Sequence, residues 1–432
     1  MTAIIIALTT TILMVLSVLF KPQIAVGRVK IGLYWLICLI GAVFMLIFGD
    51  FSLSFLAKRM TADTSVNPIK ILTLFLSMTL LSVFLGDAGF FYLIADKVFA
   101  RKKGGQKKLF LLLYFSVAIL TIFTSNDIII LTLTPPICIF CKKAKISPIP
   151  YLLGEFVCAN TWSNMLIIGN PTNVYLAQSA GIGFIDYMLV MALPALVCGL
   201  TSLAVLLLLF RKQLSIPFPE NQTATNGLPI DKTRMTVALI HLGVCLILLT
   251  VADFIGLEMW LICLALCLSL IIFNLIYGLI KDKNALKVLL AVKKAPYELI
   301  PFVLSMFTIV CGLECCGVTN TISSTLITSK KTDALTFAYL STLSANLLNN
   351  IPMSVLFSSI LGSSTSYALF GTIIGSNVGA FLTPVGALAG IMWSRILLDY
   401  DINLPFYKFI AYGLAVAIPT LALSSLTLFI TL

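Results

Sequence analysis

The chain has 432 residues, 60% of them hydrophobic and 10% charged, and its mean hydropathy is +1.08. Polar surface this scarce cannot cover a soluble protein of 47.0 kDa, so the chain belongs in lipid. The formal charge of +11 comes from 28 Lys and Arg set in short clusters between apolar runs; charge placed that way flanks membrane spans and argues against nucleic-acid binding.

About ten segments are long and apolar enough to cross ~30 Å of hydrocarbon. In chain order they are 2–20, 31–49, 71–100 with an interruption near Gly86-Asp87, 149–180, 184–210, 235–253, 257–280, 296–317, 367–395 and 406–432. The first lacks a basic leader and runs into Lys21-Pro22, with no small-residue cleavage pattern, so it reads as a retained span. Segments 149–180 and 367–395 are broken by polar sequence rich in Gly and Pro. Two further stretches, 109–141 and 334–361, do not fit as single spans. Each turns on polar residues, Thr124-Ser125-Asn126-Asp127 in one and Asn349-Asn350-Ile351-Pro352 in the other. Lys107-Lys108 and Lys142-Lys143 flank the first on both sides, which describes a re-entrant hairpin dipping in from the cytoplasm. The second is followed by Gly362-Ser363-Ser364 with no basic cluster and reads as a hairpin entering from outside. The eleven Cys lie almost entirely within apolar runs, where an unpaired Cys behaves as a small hydrophobe.

Counting charge fixes the orientation. With the N-terminus outside, the loops 21–30, 101–108, 142–148, 211–234, 281–294 and 395–408 are cytoplasmic and hold 3, 5, 3, 4, 5 and 2 Lys or Arg, 22 of the 28. The chain then divides into an N-terminal transmembrane repeat at 1–210, a cytoplasmic linker at 211–234 with Pro217, Pro219 and Pro229, and an inverted C-terminal repeat at 235–432. The expected fold is an all-α polytopic membrane protein of two inverted repeats, each with five spans and one hairpin, in the plasma membrane, here the cytoplasmic membrane of a bacterium.

Lipid offers no hydrogen bonds, so unwound backbone survives only where it lines a cavity or is buried in protein. The broken segments carry Ser163-Asn164 to Gly169-Asn170-Pro171-Thr172-Asn173 and Ser376-Asn377 to Leu382-Thr383-Pro384-Val385-Gly386, with the same step from Asn to Pro. Amide and hydroxyl oxygens and freed carbonyls accept a cation there, and resumed helix N-termini donate to an anion. The candidate substrate and ion site is therefore Ser125, Asn126, Asp127, Asn164, Asn170, Thr172, Asn173, Asn349, Asn350, Ser376, Asn377, Thr383 and Gly386. Taken singly, each residue is as readily glue between helices or a kink. Four polar clusters placed symmetrically in two halves favour a site between repeats.

Asp127 is the sharpest single residue, because a carboxylate at a buried hairpin tip is costly unless protonated, paired or bound to a cation. Glu155, Glu314 and Asp87 fall nearer predicted helix ends, where solvent reaches; Glu155 is the second candidate for a proton relay. His241 stands alone in its span and reads as packing. Cys311, Cys315 and Cys316 beside Glu314 suggest a soft-metalloid site, but their apolar company favours packing.

Several blocks resemble the arsenite-permease branch of the ion-transporter superfamily, with its citrate-transporter-like and sodium/proton-antiporter relatives. They are Gly86-Asp87-Ala88-Gly89-Phe90-Phe91, Asn126-Asp127 followed by Leu133-Thr134-Pro135, Ala295-Pro296-Tyr297-Glu298-Leu299-Ile300-Pro301-Phe302, Asn349-Asn350-Ile351-Pro352, and the most specific, Gly375-Ser376-Asn377 through Leu382-Thr383-Pro384-Val385-Gly386-Ala387-Leu388-Ala389. The resemblance covers nearly the whole chain. It implies inverted repeats, two hairpins, a substrate site shared by hairpin tips and broken helices, and alternating access in which the hairpin-bearing unit moves against a scaffold. Asn164 through Asn173 departs from the arsenite pattern and looks more like the sodium/proton-antiporter and sodium/dicarboxylate branches.

The sequence has no GxxxxGK[ST] phosphate loop, so uphill transport must draw on an ion gradient or a partner ATPase. The expectation is a non-enzymatic, ion-coupled secondary transporter of arsenite, antimonite or a similar small oxyanion or oxyacid; the alternatives are sodium-coupled uptake of a di- or tricarboxylate and sodium/proton exchange. No cofactor is expected beyond Na+ or H+ as coupling ion, with Na+ at the hairpin tips the one metal ion foreseen. The expected partners are the small-molecule or ion substrate, the lipid bilayer, a second copy in a homodimer and a partner ATPase, with no nucleic acid.

Overall fold

Some helices in this chain begin where a side chain caps free backbone amides, and a proline can occupy the first turn. Asn67 accepts from the amides of Ile69 and Lys70 at 2.9 and 3.3 Å, ahead of Pro68. Asp231 accepts from the Arg234 amide at 3.1 Å. The computed structural model describes residues 1–20, 23–26, 29–49, 51–62, 67–100, 105–218, 230–281, 286–328, 330–362 and 366–432. The middle of the expected linker (219–229), part of the basic loop before the first hairpin (101–104) and Ser363-Ser364 lie outside the described residues.

From the N-terminus, α1 (Thr2–Phe20) leads into an antiparallel ribbon of β1 (Gln23–Val26) and β2 (Val29–Gly32), with Gln23 opposite Gly32 and Val26 opposite Val29. The ribbon corrects the expectation of a plain loop at 21–30; the alternating Ile24, Val26, Val29 and Ile31 are the strand signature behind it. Next come α2 (Leu33–Phe48), α3 (Leu53–Thr61), α4 (Pro68–Asp87), α5 (Phe90–Phe99), α6 (Gly105–Phe123), α7 (Asn126–Ala144), α8 (Ile149–Trp162), α9 (Pro171–Ser179) and α10 (Phe184–Leu209). After the single turn of α11 (Arg211–Leu214) the order is repeated by α12 (Lys232–Ile255), α13 (Met259–Lys281), α14 (Leu286–Val292), α15 (Leu299–Cys315), α16 (Val318–Leu326), α17 (Thr332–Leu348), α18 (Asn350–Leu361), α19 (Ser366–Gly379), α20 (Leu388–Asp399) and α21 (Phe406–Thr431).

Contacts repeat along with the order. Helix α2 packs on α15 as α13 packs on α4, α7 packs on α20 as α18 packs on α9, and α10 packs on α21. The turn after α4 uses Gly89 at φ 92 and the turn after α15 uses Gly317 at φ 72, a left-handed conformation that glycine adopts without a Cβ clash. Ion pairs follow the same exchange. Asp87, the last residue of α4, meets Lys294 beyond α14. Glu314 near the end of α15 accepts from Arg59 of α3 at 2.7 and 2.9 Å, and from the Ser359 hydroxyl of α18.

The ten apolar segments become helices of unequal length, and the three expected to be interrupted are divided, 71–100 into α4 and α5, 149–180 into α8 and α9, and 367–395 into α19 and α20. Among the described residues six helices are long and apolar enough to cross a bilayer: α4, α6, α10, α12, α13 and α21. Helices α15 and α16 meet at 77°, and α2 is a shorter apolar helix. Ile4, Leu8 and Ile12 on α1 and Ile40, Phe44 and Ile47 on α2 are exposed, an apolar surface that lipid covers at no cost.

Candidate functional site

Both polar turns sit at the ends of helix hairpins. Phe99, just before α6, stacks on Phe140 near the end of α7 with ring centroids 4.1 Å apart. Tyr151 at the start of α8 meets Gln106 at the start of α6, its hydroxyl 3.2 Å from the Gln106 Oε1. The outer ends of α6 and α7 therefore lie together, and Thr124-Ser125 form the tip. There the Asn126 amide nitrogen donates to Asn160 Oδ1 of α8 at 3.1 Å, and its own Oδ1 accepts from the Asp127 amide at 2.8 Å. Asp127 occupies the first turn of α7, where the helix dipole favours negative charge; among the described residues no side chain pairs with its carboxylate.

The second hairpin closes in the same manner, with Phe337 of α17 edge-on to Phe357 of α18 at 6.0 Å. Its tip residue Asn349 has φ 73 and ψ 150, a region of backbone space that costs a side-chain-bearing residue about 1–3 kcal/mol. Two bonds hold it there: Asn349 Nδ2 donates to the Val385 carbonyl at 2.9 Å, and the Asn350 amide donates to the Gly386 carbonyl at 3.0 Å. This tip is thus tied to the irregular chain between α19 and α20. Thr383 Oγ1 in that stretch donates to Asn346 Oδ1 at 2.6 Å, while Asn346 Nδ2 donates to the Gly379 carbonyl at 3.0 Å.

The two broken helices meet across the repeats. Helix α8 stops at Trp162, a 3₁₀ turn at Ile167–Gly169 follows, and Asn170 caps α9 by accepting from the Thr172 amide at 3.2 Å. Asn377 of α19 reaches into this break: its Oδ1 accepts from Asn170 Nδ2 at 2.7 Å and Ser163 Oγ at 2.9 Å, and its Nδ2 donates to Asn173 Oδ1 at 2.7 Å and the Ile373 carbonyl at 2.9 Å. Both amide hydrogens and the oxygen of Asn377 are used, with the one Ser163 hydroxyl hydrogen shared between Asn377 Oδ1 and the Asn160 carbonyl, each at 2.9 Å. Asn173 Nδ2 in turn donates to the Ser163 carbonyl at 2.8 Å. All of these residues are buried.

Other candidate residues retain spare oxygens. Asn164 Oδ1, Thr172 Oγ1, Asn350 Oδ1 and Ser376 Oγ are buried with no hydrogen-bond partner in the protein. Unsatisfied buried oxygens are uncommon and costly, and a bound ion or hydrogen-bonding substrate is one thing that satisfies them. Two come from each repeat, and all are neutral, a donor set that suits Na+ or an uncharged oxyacid. Sequence reasoning passed over Asn346; its signal was the three-residue step to Asn349, which places both on one side of a helix end.

A cavity of about 1070 Å³ opens among Lys293–Glu298, the stretch of α20 from Trp393 to Asp399, and Asn403–Phe409, and it reaches Leu131 on α7 and Pro384-Val385 in the break. The two loops at its rim are among those assigned to the cytoplasm by charge. Pro135 and Pro136 cannot donate to the carbonyls of Leu131 and Thr132, so α7 presents free backbone acceptors beside this cavity.

Of three carboxylates expected near solvent, one differs: Asp87 is exposed and Glu314 half-buried, while Glu155 is neither. Glu155, expected near solvent, is fully buried because α7 and α20 cover it. Glu314 and Asp87 are held in the ion pairs described above. His241 bridges the Val237 carbonyl at 2.8 Å and Ser269 at 3.1 Å, a packing role. Cys311 is buried while Cys315 and Cys316 are exposed, and among the described residues no group of His, Cys, Asp or Glu could hold a metal ion.

Interrupted helices clasped across two repeats, two hairpin tips beside them and a cavity leading to one face define a multi-pass membrane transporter. The chain belongs to the citrate-transporter family CitMHS, whose profile matches residues 1–368. It is 25% identical over 417 residues to the putative arsenical pump membrane protein of Bacillus subtilis (strain 168), covering 90% of this chain and 92% of that one. It is 24% identical over 360 residues to an arsenical pump membrane protein of Escherichia coli, covering 80% and 83%. In fold it is similar to the Alcanivorax borkumensis YdaH transporter, with a TM-score of 0.60 at 13% identity over 100% of this chain and 98% of that one. It is thus a multi-pass protein of the plasma membrane in the arsenite-permease and citrate-transporter branch.

Proposed function

We propose that the chain is an ion-coupled secondary transporter moving a small oxyacid of the arsenite or antimonite type by alternating access. The observation that carries this reading is the neutrality of the site. Of the buried oxygens without partners, those in the candidate site belong to Asn164, Thr172, Asn350 and Ser376, none of them charged, and the cations lining the cavity, Lys293, Lys294 and Arg395, are not among the candidate site residues. Arsenous acid is uncharged near neutral pH and satisfies such oxygens by hydrogen bonds, whereas burying a tricarboxylate calls for cationic partners. Full-length similarity to proteins named as arsenical pumps supports the same substrate class.

The second reading, sodium-coupled transport of a di- or tricarboxylate, is favoured by the family match and by the Asn170-capped start of α9, a helix N-terminus that favours negative charge. Sodium/proton exchange is the third. In each the energy comes from an ion gradient or a partner ATPase, with a homodimer as the assembly. Thermal unfolding of the purified protein against arsenite, antimonite, citrate, succinate, Na+ and Li+ separates the readings. A species that binds only the folded state adds ~2.7 kcal/mol at a hundredfold excess over its dissociation constant. Stabilisation by arsenite or antimonite is expected; stabilisation by citrate with Na+ alone would replace the first reading with the second.

A further inference from the structure

Glu155 has an unusual set of neighbours for a carboxyl group in the membrane. It is fully buried, its two oxygens reach the Thr134 hydroxyl of α7, and Trp393 of α20 lies beside it with its ring against Phe156, the next residue in the chain. The Thr134 hydroxyl stands 2.5 Å from the Ile130 carbonyl and 3.0 and 3.1 Å from the two Glu155 oxygens. A hydroxyl has one hydrogen, a carbonyl can only accept, and the shorter contact takes that hydrogen. With that hydrogen on the Ile130 carbonyl, Thr134 Oγ1 is left as an acceptor toward Glu155, which a protonated carboxyl satisfies. The geometry therefore suits the neutral acid.

The surroundings agree with this assignment. The ionisable groups that face Glu155 are the thiols Cys138 on α7 and Cys158 on α8. Arg395 and Asp399 on α20 line the neighbouring cavity, while α6, α10 and α19 direct no charged group at it. Trp393 also lines that cavity and is itself buried, its ring tilted against Phe156 with centroids 4.9 Å apart. Glu155 and Thr134 belong to the first half of the chain and Trp393 to the second, so the carboxyl and its cover come from opposite repeats. Movement of one against the other uncovers Glu155.

We propose that Glu155 carries the coupling proton, an assignment that rests on reading the chain as an ion-coupled carrier. In the conformation described here the proton is held under Trp393. When water from the cavity reaches the carboxyl, the O–H bond breaks, the proton passes to that water and the electron pair stays on the carboxylate. When the carboxyl faces the other side of the membrane, a proton from water there restores the acid. One proton crosses per cycle, and no other reactant is required.

The test uses purified full-length protein and two readouts. In the first, Trp35, Trp162 and Trp260 are replaced by Phe, and the emission of the remaining Trp393 is followed against pH. A titration is expected with Glu155 present and none in Glu155→Gln; an unchanged titration in Glu155→Gln overturns the assignment. In the second, proteoliposomes are assayed for pH-driven accumulation and for exchange of labelled antimonite. Glu155→Gln should lose accumulation and keep exchange, which needs no net deprotonation; persisting pH-driven accumulation overturns the proposal. Should Glu155→Gln fail to fold, Glu155→Asp takes its place: a shifted pH midpoint supports the proposal and an unshifted one overturns it. Absence of exchange in the unmodified protein counts against the carrier reading, while the Trp393 titration, which needs no transport, still decides for Glu155.

Discussion

Asn164 and Asn377 hold equivalent positions in their repeats, each seven residues before a proline, yet they do different work. Asn377 spends its whole amide on Ser163, Asn170, Asn173 and the Ile373 carbonyl, whereas Asn164 keeps a buried oxygen without a partner. Removing one partner from a buried hydrogen bond costs about 1–3 kcal/mol per group left unsatisfied. Asn377→Ala should therefore lower the thermal unfolding temperature in detergent. Ser376→Ala, which deletes an oxygen that bonds nothing in the protein, should leave that temperature unchanged and reduce stabilisation by substrate; equal losses in both variants would remove Ser376 from the site. Asn349 permits a second comparison. Glycine there relieves strain of about 1–3 kcal/mol and loses the two side-chain hydrogen bonds, each of about 1 kcal/mol, to the Val385 carbonyl and the Ile351 amide, whereas alanine loses the same bonds and keeps the strain. Asn349→Gly should be at least as stable as Asn349→Ala, and the reverse order would show that the backbone at the tip is unstrained.

At the scale of elements, the hairpins were legible because lipid gives polar residues at membrane depth few structural uses, so Asn126-Asp127 and Asn349-Asn350 stood out from their apolar neighbours. The clasp was only half legible. Asn170, Asn173 and Asn377 were visible as polar breaks, but their contacts join residues more than two hundred positions apart, and periodicity carries no information about such pairs. Glu155 was misplaced for the same reason: its distance from a helix end was readable, while its cover by Thr134 and Trp393 is tertiary. The short ribbon at β1 and β2 was hidden in a loop assigned by charge. The first hairpin is open to a direct check. Cys315 and Cys316 are exposed and the other nine Cys are buried, so replacing those two gives a quiet background for thiol labelling. Single cysteines at the exposed Lys107 and Ser147 should both resist an impermeant reagent applied from outside; labelling of either one would refute a hairpin entering from the cytoplasm. The ion pairs make a further distinction. Glu314 touches Ser359 on α18, whereas Asp87 pairs with Lys294 beyond α14. Glu314→Gln should raise hydrogen exchange in α17 and α18 while Asp87→Asn leaves both hairpins protected; similar exchange in the two variants would mean that Glu314 does not anchor the second hairpin.

For the whole molecule, the repeated element order, the exchanged ion pairs and a cavity bordered by loops assigned to the cytoplasm are the features on which the proposed alternating-access cycle rests. Alternating access requires that substrate on one side speed the return of substrate from the other. A channel imposes no such coupling. The most direct measurement is counterflow in proteoliposomes, with labelled antimonite outside and unlabelled antimonite, arsenite or citrate inside. The account predicts uptake driven by internal antimonite or arsenite and not by citrate; flux indifferent to the internal solute, or driven by citrate alone, would contradict it.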